Sequence, residues 1–407
     1  MNHLLRRLIL ALVRILGALG AYAAARRSPK GTIPAPRILL IRPDHLGDLV
    51  MTTPVLQALR EQVPNAHITM MVGPWSSAVV ERHTALNQLI TCPFPGFQRA
   101  TQKPLEPYKL LLKIARELRH EHYDMAINLR PDFWWGAALL YLARISHRIG
   151  YAIEPGTPFL TQALPFSSAE HSTISNLRLT SAGLQTLGYT PLIEPYTPER
   201  YPLHFKPTTE EQQWVAERLL NAGIEQADPV VVIHPGTGGG VKLWRTEAWS
   251  RIANTLTTKQ ILPTPTRIVL TGNPKERPML EEIAQGMPTS LLLMTNMTVG
   301  QLAALLAHAQ LVLGVDNGPL HLATAQGTPT LRLFGPTDTH IFGPWGLPER
   351  HVVIASNQKC PSCPAIPCGR LDFSPEELPR HPCVRMITEE QVEQAITKMV
   401  ENTTFAR

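Results

Sequence analysis

The amino-acid sequence predicts an α/β protein with two domains of similar size, each built on a parallel sheet. Three observations support this fold class. The chain has 407 residues, more than one ordinary hydrophobic core accommodates. Short apolar runs alternate with amphipathic segments in both halves of the chain, as in βαβ units. A proline-rich segment, residues 191–207, separates the two halves and cannot continue a helix or a central strand, so we interpret it as a linker.

The first half, residues 31–190, alternates strands and helices. The apolar run at 37–41 predicts a buried strand, and Thr53 and Pro54 predict a helix with a threonine cap and a proline in its first turn. Further strands are predicted at 67–73, 125–129 and 147–152, and further helices at 108–124 and 134–146. This succession predicts a parallel sheet with helices on both faces.

The second half, residues 208–386, resumes the alternation. Strands are predicted at 229–236, 266–272, 311–315 and 328–335, and helices at 246–256, 274–284 and 298–309. Pro319 suits the first turn of a short helix that has Asn317 or Gly318 as its cap, and Gly327 closes that helix. The segment 387–407 ends the chain with a further helix, predicted at 387–400.

Basic residues are concentrated at the N-terminus. The formal net charge is +6, and residues 1–30 contain no acid but the basic residues Arg6, Arg7, Arg14, Arg26, Arg27 and Lys30, which leaves the rest of the chain near neutral. A nucleic-acid-binding protein would spread positive charge over its folded surface. Charge confined to one end favours contact with an anionic membrane surface instead.

Residues 1–30 are predicted to form an amphipathic helix. Its apolar face comprises Leu5, Leu8, Ile9, Leu12, Ile15, Leu16 and Leu19, with Arg7 and Arg14 opposite. Arg14 interrupts the apolar run, which argues against a membrane-spanning helix and against a signal peptide. A helix packed on the protein's own surface is the main alternative. We interpret the segment as an interfacial helix that holds a cytoplasmic protein at the inner face of the cytoplasmic membrane.

Four predicted strand-to-helix turns carry small, polar or charged residues: 42–48 in the first half, and 234–244, 271–276 and 315–321 in the second. The glycine-rich turn HPGTGGG offers consecutive backbone amides to a phosphate, and Lys242 follows it as a mobile charge. The turn lacks the GK[ST] of a Walker motif and does not complete a dinucleotide fingerprint. Together with the amide-rich turn at Asn317 and Gly318, it predicts a diphosphate site.

Three residues of these turns have both a structural and a functional interpretation. Glu276 is either an acid favoured in the first turn of a helix or an acceptor for a ribose diol. His321 is either a core histidine or a donor to phosphate. Asp316 is either a helix cap or part of a binding site. Their convergence on the carboxyl edge of one predicted sheet favours the functional interpretation.

Seven motifs follow one another along the chain: RILLIRPDHLGDLVMTTPVLQALR, NLRPDFWWGAALLYLARISHRIGY, HSTISNLRLTSAGLQTLG, VVIHPGTGGGVKLW, VLTGNPKE, LGVDNGPLHLATAQGTPTLRLFGPTD and GPWG. This ordered set, from about residue 37 to the closing helix, resembles glycosyltransferase family 9, the ADP-heptose:lipopolysaccharide heptosyltransferases and their relatives. The resemblance implies a GT-B fold, in which two Rossmann-like domains face each other with the acceptor in the N-terminal one and the donor in the C-terminal one. It also implies that the closing helix crosses back onto the first domain.

The resemblance implies roles for individual residues. Asp48 falls on the family's general base, and Asp44 is the rival candidate for that role. The implied donor site comprises Thr237, Gly238, Lys242, Glu276, Asp316, Asn317, Gly318 and His321, and Lys242 also takes part in catalysis. The candidates on the acceptor side are Arg42, Asp44, Asn128 and Arg130. This chain has Asn128 where family members often have aspartate, and its aromatic stretch 131–135 is a second departure.

The implied reaction transfers a heptose from ADP-heptose, or a related nucleotide-sugar, to a lipopolysaccharide core or similar lipid-linked saccharide. A carboxylate removes the acceptor proton, while Lys242, His321 and backbone amides take up charge on the departing diphosphate without a metal cofactor. One displacement inverts the anomeric centre. The alternatives are another nucleotide-sugar enzyme of the same fold, such as an epimerase, and an inactive binding protein of lipopolysaccharide assembly.

Four cysteines form a late cluster, Cys360, Cys363, Cys368 and Cys383, while Cys92 stands alone. The spacing C-x2-C-x4-C-x14-C is compatible with four thiolates that hold a structural zinc ion. Disulfides are not expected in a cytosolic enzyme. We expect unligated thiols in a loop in preference to a metal site.

Overall fold

In a computed structural model, the protein forms two compact units, Met1–Tyr196 and Thr197–Arg407. The structure describes residues 3–27, 31–98, 103, 105–259, 261–262, 266–286 and 291–402. The boundary after Tyr196 falls inside the predicted linker, residues 191–207. Parts of the predicted terminal segments, residues 1–2, 28–30 and 403–407, lie outside the described residues.

The first unit is built on a six-stranded parallel sheet with the strand order β3-β2-β1-β4-β5-β6. The strands are β1 Arg37–Arg42, β2 His67–Val72, β3 Gln88–Thr91, β4 Met125–Asn128, β5 His147–Tyr151 and β6 Gln162–Leu164. The helices are α1 His3–Arg27, α2 Leu46–Val50, α3 Thr53–Gln62, α4 Glu106–Arg119, α5 Trp134–Leu142 and α6 Ser172–Thr186.

The sequence of β1 explains its place at the centre of this sheet. Residues 38–41 are apolar and expose none of their surface, because helices cover both faces of a parallel sheet. Leu40 pairs in register with Met70 of β2 and with Ile127 of β4. Four adjacent apolar residues therefore fit a central strand, where neither face meets water.

Helix α1 has two different faces. One face packs against α5: Leu10 and Ala21 are buried, and the hydroxyl of Tyr141 donates a hydrogen bond of 2.7 Å to the carbonyl oxygen of Arg14. The opposite face leaves Leu8, Leu12, Ile15 and Leu19 between 54% and 85% exposed. Packing on the protein's own surface, the alternative interpretation of this helix, is thus observed for one face, while the predicted apolar face remains exposed.

Some of the predicted amphipathic pattern lies outside the described residues, since the side chains of Leu5, Arg7 and Leu16 are not described. In the described part of the chain, no helix combines the length and apolar character needed to cross a bilayer.

The second unit is built on another six-stranded parallel sheet, in the order β12-β11-β10-β7-β8-β9. Its strands are β7 Val230–His234, β8 Arg267–Thr271, β9 Leu291–Met294, β10 Leu311–Val315, β11 Thr330–Phe334 and β12 His351–Ala355. Its helices are α7 Thr209–Asn221, α8 Thr246–Thr258, α9 Arg277–Gln285, α10 Val299–His308, α11 Gly318–Ala325, α12 Thr339–Phe342 and α13 Glu389–Asn402. Helix α13 packs on α8 and β12, and its return to the first domain stays a prediction.

The two sheets share one topology. Counted from the first strand of each unit, both follow the order 3-2-1-4-5-6. In such a sheet the strand order reverses between strands 1 and 4, and ligands bind in the crevice at their carboxyl ends. The segments after β1 and β4 therefore come together in the first unit, and those after β7 and β10 in the second.

The predicted α/β class with two parallel sheets is confirmed, and every predicted strand is present. Asn317 caps α11 by accepting a hydrogen bond from the backbone N–H of Leu320, as predicted. Two local predictions were wrong. The cap position of α3 is Thr52, and Thr53 is already helical. The helix predicted at 274–284 begins as a 3-10 turn, Pro274–Glu276, before α9 starts.

Candidate functional site

The first unit holds an acidic and arginine-rich cluster at the carboxyl ends of β1 and β4. Asp44 follows β1 and is buried. Arg42 places its Nε 2.7 Å from Asp44 Oδ2, and Nη1 of Arg130 contacts the other carboxylate oxygen. Two guanidinium groups therefore balance the charge of one buried carboxylate. This arrangement is that of a structural ion pair, which suits a general base poorly because the carboxylate is buried and its charge is balanced by two arginines.

Asp48 has a different environment, in the first turn of α2. Its side chain is 30% exposed, and Arg42 Nη2 lies 3.4 Å from Asp48 Oδ1. Asp48 is thus the more accessible of the two acids that the sequence proposed as the base. The role of Asp48 stays a prediction, while the position of Asp44 favours a supporting role.

Arg130, which follows β4, forms an ion pair with Asp44, which follows β1. Burial alone would lower its pKa, but the carboxylates of Asp44 and Asp132 outweigh burial and raise it above the ordinary value. The side chain also lies over the ring of Phe97, 5.3 Å from the ring centroid. A permanently charged group is thereby fixed at the edge of the first sheet.

Asn128, the last residue of β4, is buried and bonded to the backbone. Its Nδ2 donates to the carbonyl oxygens of Phe133, at 3.0 Å, and of Arg130, at 3.3 Å. An aspartate has no side-chain N–H and could not donate to these carbonyls. The asparagine therefore stabilises the turn that carries Arg130, and its predicted contact with an acceptor stays a prediction.

In the second unit, Asn317 links the glycine-rich turn to the start of α11. Its Nδ2 donates to the carbonyl oxygens of His234, at 3.2 Å, and Gly236, at 2.8 Å. Its Oδ1 accepts from the N–H of Leu320 at 3.1 Å. One side chain thus fixes the two predicted amide-rich turns against each other, and it leaves the N–H of Gly318 among the first-turn donors that an α-helix cannot bond internally.

Lys242 and Asp316 form an ion pair beside this link. Lys242 Nζ lies 3.1 Å from Asp316 Oδ2, and the hydroxyl of Thr337 donates to the same oxygen at 2.6 Å. The hydroxyl of Thr237 lies 3.4 Å from the carbonyl oxygen of Asp316. Because an ammonium carries three donors, the pair leaves Lys242 with capacity for anionic oxygens. Gly238 lies exposed in the same turn.

Glu276 reaches the glycine-rich turn from the end of β8. Its Oε2 accepts the N–H of Asn273 at 2.8 Å, in a capping box at the start of the turn before α9. A side chain at Gly236 would collide with the Glu276 carboxylate in this position, so glycine leaves room for the approach. Glu276 therefore fulfils the structural interpretation and also lies next to the loop that the functional interpretation requires.

His321 is buried in α11 and contacts a buried arginine that the sequence did not single out. Arg332 of β11 has its Nη1 3.3 Å from His321 Nδ1 and donates through Nη2 to the carbonyl oxygen of Leu320 at 2.7 Å. Since a guanidinium only donates, His321 Nδ1 acts as the acceptor and Nε2 carries the proton. This tautomer matches the predicted role of His321 as a hydrogen-bond donor to phosphate.

Three further residues near this edge were not predicted. They are Thr337, Arg332 and His234. Burial lowers the pKa of His234 to about 4, so its imidazole is neutral near pH 7, and its Nδ1 lies 2.9 Å from the hydroxyl of Thr271. Burial also lowers the pKa of Arg332, against the opposing effect of Asp316. A charged residue inside the apolar run LRLF was the available sequence signal for Arg332.

The late cysteines lie away from these turns in sequence but within the second unit. Cys360 and Cys363 come together with His381, which the sequence argument did not include. Cys360, Cys363 and Cys383 are part of the hydrophobic core of the second unit, and Cys368 packs against it. The structure thus adds His381 to the four cysteines, and whether the group binds a metal stays a prediction.

The comparisons with known proteins agree with this architecture. A family model described as glycosyltransferase family 9 (heptosyltransferase) matches residues 111–368, more than half of the chain. Lipopolysaccharide heptosyltransferase 3 of Escherichia coli is 29% identical over 308 residues, which cover 74% of this chain and 83% of that protein.

Two solved structures are similar along most of the chain. The family 9 glycosyltransferase from Veillonella parvula DSM 2008 has a TM-score of 0.73 at 21% identity and covers 92% of this chain and 100% of its own. An Escherichia coli heptosyltransferase with ADP-2-deoxy-2-fluoro heptose has a TM-score of 0.63 at 21% identity. The match covers 90% of this chain and 100% of that one. At these identities the similarity identifies the GT-B-like fold. By its match to the family model, this chain belongs to glycosyltransferase family 9, the heptosyltransferases.

Proposed function

We propose that this protein transfers a heptose from ADP-heptose to a lipopolysaccharide core or a similar lipid-linked saccharide. The family and the Escherichia coli relative named as a lipopolysaccharide heptosyltransferase support the reaction class. A neighbour solved with an ADP-heptose analogue supports the donor. The observation that carries the proposal is the link made by Asn317, which bonds the glycine-rich turn to the start of α11. The Lys242–Asp316 ion pair lies beside this link, at the same carboxyl edge of the sheet.

The donor diphosphate would bind to the groups around the Asn317 link. Lys242 supplies a charge, Gly318 supplies a first-turn N–H at the positive end of a helix, and Nε2–H of His321 supplies a further donor. Asp316 would accept hydrogen bonds from sugar hydroxyls through its remaining lone pairs. These donors and charges are fixed in advance, so they stabilise the negative charge that develops on the leaving diphosphate without reorganisation.

The transfer step is a single displacement. The acceptor hydroxyl oxygen attacks the anomeric carbon, its proton passes to the carboxylate of Asp48, and the bond to the diphosphate oxygen breaks with its electron pair. The products are the glycosylated acceptor, with inverted configuration, and ADP. This scheme requires no metal ion, because Lys242 and the backbone donors balance the charge of the leaving group.

We also propose that α1 holds the enzyme peripherally at the inner face of the cytoplasmic membrane. The exposed residues Leu8, Leu12, Ile15 and Leu19 form an apolar strip, and the N-terminal segment is basic and lacks acids. An apolar strip with a basic flank suits anionic lipid headgroups over acyl chains. A lipid-linked acceptor would then be present at the same surface.

A nucleotide-sugar screen followed by a transfer assay tests the proposed function. We expect ADP-heptose to raise the melting temperature, because a ligand that binds only the folded protein stabilises it. The increase should exceed that produced by UDP- or GDP-sugars, because ADP-heptose is the proposed donor. With a lipopolysaccharide core acceptor, mass spectrometry should detect one added heptose, and NMR should find inverted anomeric configuration. Consumption of ADP-heptose without any acceptor would support the epimerase-like alternative, and binding without turnover would support the inactive one.

A further inference from the structure

A long segment without regular structure, residues 356–383, packs on the second sheet. The structure describes all of these residues, and within them it contains only one short 3-10 turn, Leu378–Arg380. Irregular segments of this length are uncommon in compact domains and have few backbone hydrogen bonds to hold them. Some other interaction must therefore fix this segment.

The segment brings three metal-binding side chains together. The ligand atoms of Cys360, Cys363 and His381 all lie within 4.8 Å of one another, and Cys363 Sγ is 3.2 Å from His381 Nδ1. Ligands of a tetrahedral zinc ion, with bonds of about 2.0–2.3 Å, are separated by about 3.5–3.8 Å. The group is thus already close to the spacing that a bound ion requires.

Two further thiols flank this group. Cys368 makes a side-chain contact with Cys363, and Cys383 makes one with Cys360. A structural zinc site takes four ligands, so either thiol completes the set. In the backbone, the N–H of Cys363 bonds the carbonyl oxygen of Cys360 at 3.0 Å, which closes the tight turn between the first two ligands.

The surroundings of the group suit a buried ion. Cys360, Cys363 and His381 are buried, and the ring of Phe373 lies over the imidazole of His381 with the ring centroids 3.9 Å apart. Burial of the ligand side chains limits their access to solvent. A purely apolar role would not require an imidazole nitrogen to face a thiol.

We propose that Cys360, Cys363 and His381, with Cys368 or Cys383 as fourth ligand, bind a structural zinc ion or a similar thiophilic divalent metal. This goes beyond the proposed transfer reaction and does not depend on it. The ion would fix the irregular segment to the body of the second unit. The segment borders the glycine-rich turn, since a Cβ at Gly240 would lie 3.0 Å from Leu378 and one at Gly239 would lie 3.9 Å from the carbonyl oxygen of Leu371.

Elemental analysis of the purified full chain tests this site directly. We expect about one zinc ion per chain, and loss of most of it in Cys363→Ser and in His381→Ala. Cys92→Ala and His340→Ala are matched controls outside the group, and both should retain the metal. Comparison of Cys368→Ser with Cys383→Ser identifies the fourth ligand, because only one of them should lose metal.

A second measurement uses the unaltered protein, so it does not depend on whether the variants fold. After chelation and under reducing conditions, cobalt should bind with the visible absorption of tetrahedral thiolate coordination, and zinc should displace it. Chelation should also lower the melting temperature by several degrees. An isolated protein without metal that takes up no cobalt when reduced would overturn the proposal, as would a Cys360–Cys363 disulfide that takes up no metal after reduction.

Discussion

The ammonium of Lys242 lies 3.1 Å from the carboxylate of Asp316, and this ion pair joins the turn after β7 to the turn after β10. The pair lies where the strand order of the second sheet reverses, the position at which ligands bind in such sheets. The charge of Lys242 is therefore positioned before any donor arrives.

Replacement of Lys242 by alanine should weaken binding of ADP by at least about tenfold, because charged hydrogen bonds contribute about 1.5–3 kcal/mol. Isothermal calorimetry with ADP measures this effect. Lys398→Ala, which removes an exposed lysine of α13 in the same unit, is the matched control and should bind ADP normally. Equal affinity of the Lys242 variant and the unaltered protein would remove Lys242 from the donor site.

Asp48→Asn should lower turnover by at least ~100-fold and leave ADP binding and the melting temperature nearly unchanged, since a general base acts only in the chemical step. Asp44→Asn should instead destabilise the first unit, by about 3–5 kcal/mol, because it removes the nearer carboxylate of the buried Arg42 and leaves only that of Asp48, at 3.4 Å. Steady-state kinetics and denaturant unfolding separate the two effects. The reverse outcome would make Asp44 the base.

Asn317→Asp isolates the link between the two donor turns. An aspartate still caps α11 through an oxygen, but it cannot donate to the carbonyl oxygens of His234 and Gly236. We expect a loss of stability of about 1–3 kcal/mol and weaker ADP binding. Asn317→Ala, which removes the cap as well, should be more destabilised; equal stability of Asn317→Asp and the unaltered protein would contradict the role of the link.

Simultaneous replacement of Leu12, Ile15 and Leu19 by glutamine should abolish sedimentation with anionic vesicles without lowering the melting temperature, because these side chains are exposed. This triple variant is a sharper test than removal of residues 1–28, which would also uncover the face of α5 against which α1 packs. Leu112→Gln, at another exposed leucine, should bind vesicles normally. Persistent binding of the triple variant would exclude α1 as the anchor.

Stability should fall as the pH is lowered from about 6.5 to about 4, because His234 resists protonation in the folded protein. Burial lowers its pKa from 6.5 to about 4, whereas the unfolded chain binds the proton at the ordinary pKa. In this pH window the unfolded state binds a proton that the folded state does not, so the free energy of unfolding falls by up to about 3 kcal/mol. Denaturant unfolding at several pH values measures the slope. His234→Gln should reduce this slope without abolishing it, because burial also lowers the pKa of His351, to about 3. An unchanged slope would assign the effect to other groups.

Much of the fold could be predicted because its central strands are continuous apolar runs. The apolar runs at β1, β7 and β10 are buried, and short continuous runs that alternate with amphipathic helices are typical of the central strands of a parallel sheet. The strands β3, β6, β9 and β12 were not predicted. They lie toward the sheet edges, where half-exposed side chains blur the apolar pattern.

The candidate donor residues could be named because their turns follow buried strands directly. The residues that contact these candidates could not be predicted, because they come from distant parts of the chain. Arg332 reaches His321 only after β11 is placed beside β10, and His381 reaches Cys363 only after an irregular segment folds back. Local spacing predicts ligands that are near in sequence, whereas these contacts depend on tertiary packing.

The close approach of Glu276 to Gly236 constrains how this protein can change. A methyl group at position 236 would displace the Glu276 carboxylate from the N–H of Asn273. Alanine at position 236 therefore disrupts the capping box before α9 unless residue 276 is shortened first. In a lineage of related enzymes, a residue larger than glycine at position 236 should therefore occur together with a shorter residue at position 276.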